Sequence, residues 1–189
     1  MNRTGSIPAA VIQFFSYFTI LTNTLVAVYF TVIWQEPSSN NAKFFLKPQT
    51  GTAIAVYITV VGLVYNIILR STWNPEGLQK MVDELLHSVC PAFFIVYWIL
   101  AVPKQPLQWK NIFSWLIYPL IYFIYSLLRG AIVDWYPYPF IDVKTIDYTQ
   151  TFINSGFVLL TFLVLSLLFV GIGKLLVGKN YSKTASEPI

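Results

Sequence analysis

Five long stretches without a charged residue restrict the possible folds of this sequence more than any other feature. They cover residues 4–35, 48–69, 85–103, 111–128 and 148–173. Each approaches or exceeds the ~20 residues that an α-helix needs to cross a hydrocarbon core. In lipid, the backbone N–H and C=O groups must form their hydrogen bonds within a helix or a closed barrel. These stretches lack the alternation of apolar and polar residues that is typical of barrel strands. With 56% hydrophobic and 11% charged residues, the sequence predicts an all-α polytopic transmembrane helical bundle of about five spans.

The connecting segments complete the predicted organisation. We expect one transmembrane helical domain over residues 1–181, followed by a mobile C-terminal tail over residues 182–189. Residues 129–151 contain two prolines within an aromatic run, which predicts an ordered loop at the membrane surface. The first span is too long for a signal peptide and is expected to be retained. The predicted helices cover residues 9–34, 50–70, 82–102, 111–130 and 152–177.

Charge and cysteine usage exclude several classes of function. One cysteine and one histidine cannot form a protein-only zinc site, and we expect neither a metal nor a cofactor. The basic residues lie in the segments that flank the spans, which does not favour nucleic-acid binding. With five crossings, seven of the twelve basic residues fall on one side, so the positive-inside rule predicts a cytoplasmic C-terminus. Membrane lipids are the expected partners, and the oligomeric state stays open.

Polar residues inside the predicted spans collect toward the outer half of the membrane. Ionisable groups at this depth are functional candidates, and one polar pocket open to one face would explain the grouping. The residues concerned are Thr19, Thr22, Asn23, Asn66, Arg70, Asp83, Glu84, His87 and Arg129, and the long loop adds Asp142 on the same side.

Thr19 and His87 are the candidates for catalysis. A threonine hydroxyl is a poor nucleophile until a base takes its proton, and imidazole titrates in the required range. The alternatives are structural: the Thr19 hydroxyl bonded to the carbonyl of Phe15, and His87 in a hydrogen bond within the protein. Pro91 removes the amide that would bond the carbonyl of His87, which leaves that carbonyl free as an acceptor. Cys90 is more typical of inert packing than of a nucleophile.

Three segments resemble the androgen-induced protein and androgen-dependent TFPI-regulating protein family, and more closely its bacterial six-helix relatives. They are residues 18–23 (FTILTN), residues 86–88 (LHS) with Pro91, and residues 135–142 (WYPYPFID). The resemblance covers nearly the whole chain. It implies an intramembrane threonine hydrolase that cleaves fatty acid esters of hydroxy fatty acids, and a bacterial inner membrane as its location.

The resemblance also implies roles for individual residues. Thr19 corresponds to the nucleophile and His87 to the base, with Thr22 as a second candidate nucleophile. Asp142 stands where animal members tend to carry Glu. The family has six helices and this sequence begins at what resembles the second, so the first is expected to be missing and the N-terminus to face outward.

Three hypotheses follow for the function. The first is an esterase acting on a lipid ester, with Asn23, Asn66 or Arg70 stabilising the oxyanion or holding a carboxylate. The second is a non-catalytic lipid-binding or transport protein that uses the same pocket. The third is a structural or partner-binding membrane subunit.

Overall fold

Every regular element that the structure describes is helical. The computed structural model describes residues 6–35, 37–105 and 107–184. Within these ranges, five helices are long and apolar enough to cross a membrane, as predicted. The chain is thus a multi-pass membrane protein built as an all-α helical bundle. The five spans are Phe18–Gln35, Pro48–Leu69, Gly77–Ala101, Asn111–Val133 and Val143–Val177.

Two of the spans contain a π-helical turn, and short helices flank others. Pro48–Val64 continues into the π turn Tyr65–Leu69, and the π turn Leu85–Val89 joins two helical halves of the third span. A 3₁₀ turn, Pro139–Ile141, precedes the last helix. In chain order the α-helices are α1 (Ile7–Phe14), α2 (Phe18–Gln35), α3 (Asn40–Phe45), α4 (Pro48–Val64), α5 (Gly77–Glu84), α6 (Cys90–Ala101), α7 (Asn111–Trp115), α8 (Ile117–Val133) and α9 (Val143–Thr184).

The first predicted helix, residues 9–34, is two helices in the structure. The break lies at Ser16, whose hydroxyl donates to the carbonyl of Ile12 at 2.7 Å and lies 2.8 Å from the hydroxyl of Tyr125. The carbonyl of Ser16, which a continuous helix would use for its own backbone, instead accepts a hydrogen bond from Tyr122 at 2.9 Å. Side-chain competition of this kind bends or ends membrane helices.

The last helix begins earlier than the predicted residue 152. Asp147 has a non-helical backbone (φ 59°, ψ 173°), and its carboxylate accepts from the N–H of Gln150 at 2.9 Å. This is the geometry of an N-cap, so the long membrane segment starts directly after Asp147. Of the predicted tail, residues 182–184 continue the helix, and residues 185–189 lie outside the described residues.

Helix α4 is the central element of the bundle, because it packs against α2, α6 and α9. Ten of its seventeen residues are buried, and several of these are small, which allows neighbouring membrane helices to approach closely. Buried hydrogen bonds fasten it to its neighbours. The indole of Trp98 donates to the hydroxyl of Thr52 at 2.9 Å, and the hydroxyl of Tyr57 donates to the carbonyl of Trp115 at 2.8 Å.

Residues 134–142, named here the aromatic loop, close one end of the bundle. Ile141 is buried, and the side chain of Asn154 donates to the carbonyl of Phe140 at 3.1 Å, which ties the loop to α9. Tyr136 packs so closely on Gly130 of α8 that a Cβ at Gly130 would overlap its ring. At this end, called the loop end below, α2 and α9 begin and α4 and α8 finish.

Candidate functional site

A cavity of about 370 Å³ lies at the loop end, between α2, α4, α8, α9 and the aromatic loop. Its wall is mostly apolar, and five of its lining residues carry a hydroxyl group: Thr19, Tyr65, Tyr122, Tyr138 and Ser155. The apolar part of the lining consists of Phe18, Val60, Val61, Val64, Leu69, Pro119, Leu120, Phe123, Phe140, Ile141, Phe152, Gly156, Val158, Leu159 and Phe162.

Thr19 is the candidate nucleophile that faces this cavity. It lies in the first turn of α2, where backbone N–H groups have no partner within the helix. Its N–H donates to the hydroxyl of Tyr138 at 3.3 Å, and its own hydroxyl lies 3.4 Å from the same oxygen. Burial raises the pKa of Tyr138, so this hydroxyl stays protonated and can donate. The expected alternative, a bond to the carbonyl of Phe15, does not form, because the helix is interrupted between the two residues.

Thr22, the second candidate nucleophile, is directed into packed protein. Its side chain is fully buried, and its hydroxyl lies 3.4 Å from that of Tyr118. Tyr118 in turn packs against Phe18 and Tyr57. Thr22 does not line the cavity, so Thr19 is the better placed of the two threonines.

His87 lies in the π turn between α5 and α6, and its ring is held by two contacts. Nδ1 lies 2.8 Å from the carbonyl oxygen of Asp83 and 3.3 Å from the carboxylate of the same residue. The ring stacks on Tyr65, with centroids 4.0 Å apart and planes inclined by 15°. A carbonyl can only accept, so Nδ1 carries the proton, and in the neutral ring Nε2 is then an acceptor. π-Helical turns are frequent at functional sites.

Tyr65 links the histidine to the cavity. Its ring lines the cavity wall, whereas His87 is not part of that lining. The hydroxyl of Tyr65 donates to the carboxylate of Asp83. Thr19 and His87 therefore bond to different partners, and no hydrogen bond joins them.

Asn23 connects α2 to the turn that carries the histidine. Its amide nitrogen donates to the carbonyl of Thr19 at 2.9 Å and to that of Leu86 at 3.2 Å. The contact places the first turn of α2 against the residue that precedes His87. Both amide protons are used in this bridge, which leaves none for an oxyanion.

Asn66 makes the corresponding bridge from the π turn that follows α4. Its amide nitrogen donates to the carbonyl of Gly62 at 2.8 Å and to that of His87 at 3.3 Å. The carbonyl of His87 is the one that Pro91 was predicted to leave free, and its use as an acceptor confirms that prediction. A Cβ at Gly62 would lie 3.2 Å from the same carbonyl oxygen, so the glycine permits the close approach of the two helices.

Arg70 and Glu84 form a salt bridge at the edge of this cluster. The guanidinium lies within 2.6 Å of the carboxylate, which also accepts from the hydroxyl of Ser88 at 2.8 Å. The Arg70 guanidinium lies 5.4 Å from the ring centroid of Tyr65. Both partners are substantially exposed, and neither lines the cavity. Their contacts join the end of α4 to α5.

Arg129 and Asp142, the two remaining candidates, lie at the aromatic loop without lining the cavity. The guanidinium of Arg129 lies 4.9 Å from the ring centroid of Trp135. The carboxylate of Asp142 accepts from the backbone of Lys144 at 3.1 Å and helps to start α9. Neither residue bonds to Thr19 or His87.

Four hydroxyl-bearing cavity residues were not predicted as part of the site: Tyr65, Tyr122, Tyr138 and Ser155. Tyr138 was recognised only as part of an aromatic run, and Tyr65 and Ser155 lie inside long apolar stretches where nothing distinguishes them from packing residues. Proximity to other polar residues would have favoured Tyr65, which directly precedes Asn66.

The chain was compared with protein-family models, with curated proteins and with solved structures, and none of them matches it.

Proposed function

We propose that this protein binds a long-chain lipid in the cavity at the loop end. The observation that carries the proposal is an apolar cavity, built from membrane-spanning helices, with the hydroxyls of Thr19 and Tyr138 in its wall. A volume of about 370 Å³ lies within the usual range of small-molecule sites, roughly 300–1,000 Å³. Apolar walls with few polar groups suit a hydrocarbon chain that carries one polar function.

Ser155 supports a ligand that contains oxygen. Its hydroxyl oxygen is buried and has no hydrogen-bond partner among the described residues. Serine in a membrane helix ordinarily bonds to a carbonyl of the preceding turn, and a buried group without a partner costs about 1–3 kcal/mol. Ser155 lines the cavity, so rotation of its side chain toward a hydroxyl, ester or carboxyl group of a bound lipid would give this oxygen a partner, which a plain hydrocarbon would not.

The surrounding bilayer offers a route into the cavity. Leu120 on α8 and Phe152 and Leu159 on α9 line the cavity, and all three side chains are substantially exposed. We therefore infer that the cavity opens to the surface of the bundle between α8 and α9. A lipid can pass from the membrane through this opening without crossing water.

A photoreactive fatty acid tests the binding proposal. The purified protein in detergent is irradiated with a diazirine derivative of palmitic acid, and the labelled residues are identified by mass spectrometry. We expect saturable labelling of cavity residues such as Val60, Phe123 and Leu159, and competition by unlabelled palmitic acid. Labelling that does not saturate and is spread evenly over the outer faces of the helices would contradict the proposal.

Hydrolysis of a lipid ester is the second candidate function, and two observations favour it. The side chain of Thr19 lines the cavity, and the Nδ1 bond of His87 leaves Nε2 able to accept a proton. In the hydrolysis proposed here, the Thr19 hydroxyl attacks the ester carbonyl while His87 takes its proton. The histidine then protonates the departing alcohol, and water releases the acyl group from the threonine.

Hydrolysis also needs a movement that binding does not. A general base must come within about 2.6–3.2 Å of the proton it removes, although such contacts often tighten only when substrate binds. Because Tyr65 stacks on His87 and lines the cavity, we propose that a bound ester displaces the Tyr65 ring. His87 then turns toward Thr19. The resemblance to the threonine hydrolase family supports this second candidate.

The two candidates are separated by activity measurements on matched threonine variants. With p-nitrophenyl palmitate as the probe, hydrolysis at Thr19 predicts that Thr19→Ala abolishes activity and that Thr22→Ala, the control, retains most of it. Loss of the base in His87→Gln is expected to lower the rate about 10²–10⁴-fold. A folded Thr19→Ala protein that hydrolyses the ester at the wild-type rate would eliminate the hydrolase and leave the binding proposal intact.

We also propose a bacterial inner membrane location with the C-terminus in the cytoplasm. The excess of lysines in the loops and tail of one side supports this orientation. C-terminal fusions test it: green fluorescent protein is expected to fluoresce, and alkaline phosphatase to be inactive. Active alkaline phosphatase at the C-terminus would place that end outside and contradict the proposal.

A further inference from the structure

The side chain of Arg129, at the end of α8, is partly exposed and has no acidic partner among the residues that the structure describes. Its Nη1 atom is buried and makes no hydrogen bond within the described part of the chain. Arg70, at the same end of the bundle, differs because its guanidinium is paired with Glu84. Asp134 is an acid of the adjacent aromatic loop, and its carboxylate is paired with Lys144.

The surroundings of Arg129 fix the orientation of its charge. The guanidinium lies over the indole of Trp135, with 4.9 Å between its central carbon and the ring centroid, so one face of the cation is covered by the ring. A guanidinium stacks on a ring through its face, so the N–H groups in its plane remain available as hydrogen-bond donors. These groups form a fork that matches the oxygens of a phosphate or carboxylate. Because the Arg129 side chain as a whole is partly exposed, an anion can reach the outer edge of the guanidinium and supply the acceptor that the described residues lack.

The position of Arg129 in the membrane identifies the kind of anion available. The span Asn111–Val133 ends only a few residues beyond it. Trp135 contacts Tyr17 with ring centroids 5.5 Å apart, and Tyr136 packs on the neighbouring Gly130. Tryptophan and tyrosine side chains of this kind gather at the level of the lipid headgroups. The phosphodiester groups of phospholipids lie at the same level.

We propose that Arg129 binds the phosphodiester group of a membrane phospholipid, with Trp135 holding the guanidinium plane. The chemistry of the site would accept phosphate oxygens from any source, and its depth assigns them to a lipid. Neither Arg129 nor Trp135 lines the cavity, so this site does not depend on the proposed function. The cavity could prove empty and the phospholipid site would remain.

Native mass spectrometry of the full chain in detergent tests the proposal, with phosphatidylglycerol added in steps. The apparent affinity for the first bound phosphatidylglycerol is expected to fall at least about tenfold in Arg129→Gln, since hydrogen bonds to a charged group are worth roughly 1.5–3 kcal/mol. Arg70→Gln is the matched control, because Arg70 also lies over a ring but is already paired with an acid. It should bind the lipid as the wild type does. Equal affinity in Arg129→Gln and wild type would overturn the proposal.

Two further measurements keep the proposal testable if Arg129→Gln does not fold. Arg129→Lys keeps the charge but loses the planar fork, and it is expected to bind phosphatidylglycerol several-fold more weakly than wild type. An unchanged affinity in Arg129→Lys would overturn recognition by the fork. Addition of inorganic phosphate in millimolar excess is expected to leave the bound lipid in place. Displacement of the lipid by inorganic phosphate would identify a site for soluble phosphate and overturn the assignment to a phospholipid.

Discussion

Gly156 offers a direct way to fill the proposed lipid site. It lies on α9 and lines the cavity, and a Cβ built at this position meets no atom within 4 Å. A leucine side chain can therefore occupy cavity space without displacing the protein around it. We predict that Gly156→Leu abolishes lipid binding and does not destabilise the ligand-free protein.

The expected magnitudes follow from two contributions in the ligand-free state. Replacing glycine inside a helix gains about 0.8–1.0 kcal/mol of helix propensity. Burying a leucine side chain contributes up to about 1.5–3 kcal/mol, and less here because part of the side chain faces the opening between α8 and α9. The free energy of unfolding of Gly156→Leu should thus exceed that of wild type by about 1–3 kcal/mol. Lipid adds a third effect, since a ligand at a hundred times its Kd stabilises the wild type by about 2.7 kcal/mol.

Thermal unfolding of delipidated protein, followed by tryptophan fluorescence with and without palmitic acid, measures both effects. Wild type should gain stability with the lipid, and Gly156→Leu should gain almost none. Gly156→Ala is the control, because it has the same helix propensity advantage but leaves most of the cavity open, and it should respond to lipid as wild type does. If Gly156→Leu responds to lipid like wild type, the lipid binds elsewhere. A large loss of stability in the lipid-free variant would mean that the space is not available as described.

Three further predictions concern single contacts. In a double-mutant cycle with Thr52→Val and Trp98→Phe, the buried hydrogen bond predicts a coupling energy of about 0.6–1.7 kcal/mol in the unfolding free energy, whereas additive effects would refute it. Gly130→Ala forces the ring of Tyr136 aside and should lower the unfolding free energy by about 1–3 kcal/mol. In a protein that already carries Tyr136→Ala, the same substitution should cost much less. Additive effects of the two substitutions would count against the contact. Because the pKa of Tyr138 is raised above 10.0 by burial, its contribution to stability is constant below about pH 10 and is lost as the pH rises further. Unfolding measured from pH 8 to 11.5 should therefore show a shallower loss in Tyr138→Phe, and identical slopes would contradict this.

The number and type of membrane helices could be predicted from the sequence because they depend on the length and hydrophobicity of whole segments. A stretch of about 20 apolar residues without charge has few alternatives to a membrane helix. The helix ends were harder to predict because they depend on single side chains. Ser16 ends one helix through contacts with tyrosines of α8, and Asp147 starts another by capping it. Neither contact follows from local hydrophobicity.

The grouping of polar residues at one end of the bundle was also predictable, since it follows from the order and length of the spans. Asn23 meets Leu86, Asn66 meets His87 and Arg70 meets Glu84, all at the loop end. One prediction held at the level of a single atom. Because Pro91 has no N–H, the carbonyl of His87 was predicted to be free as an acceptor, and the side chain of Asn66 donates a hydrogen bond to it.

The partners of Thr19 and His87 could not be predicted in the same way. Helical periodicity assigns a side chain to a face, and several side chains on neighbouring helices compete for each face. Tyr138 reaches Thr19 from a loop more than a hundred residues away, and Tyr65 stacks on the ring of His87 from the π turn that follows α4. Aromatic side chains within an apolar stretch give no sign in the sequence of which polar group they will contact.

Tyr65 thereby becomes the residue on which the choice between lipid binding and hydrolysis depends. It lines the cavity, stacks on His87 and donates to Asp83, so these contacts all change together if its ring moves. While the ring stays stacked on His87, no hydrogen bond joins the histidine to Thr19, and only the binding proposal applies. The Tyr65 ring can be stacked on His87 or displaced from it. A ligand in the cavity shifts the equilibrium between these two arrangements only as far as it binds one of them more tightly than the other. Under the hydrolysis proposal, a lipid with its polar group at Thr19 has such a difference, because only the displaced arrangement would add a contact with His87.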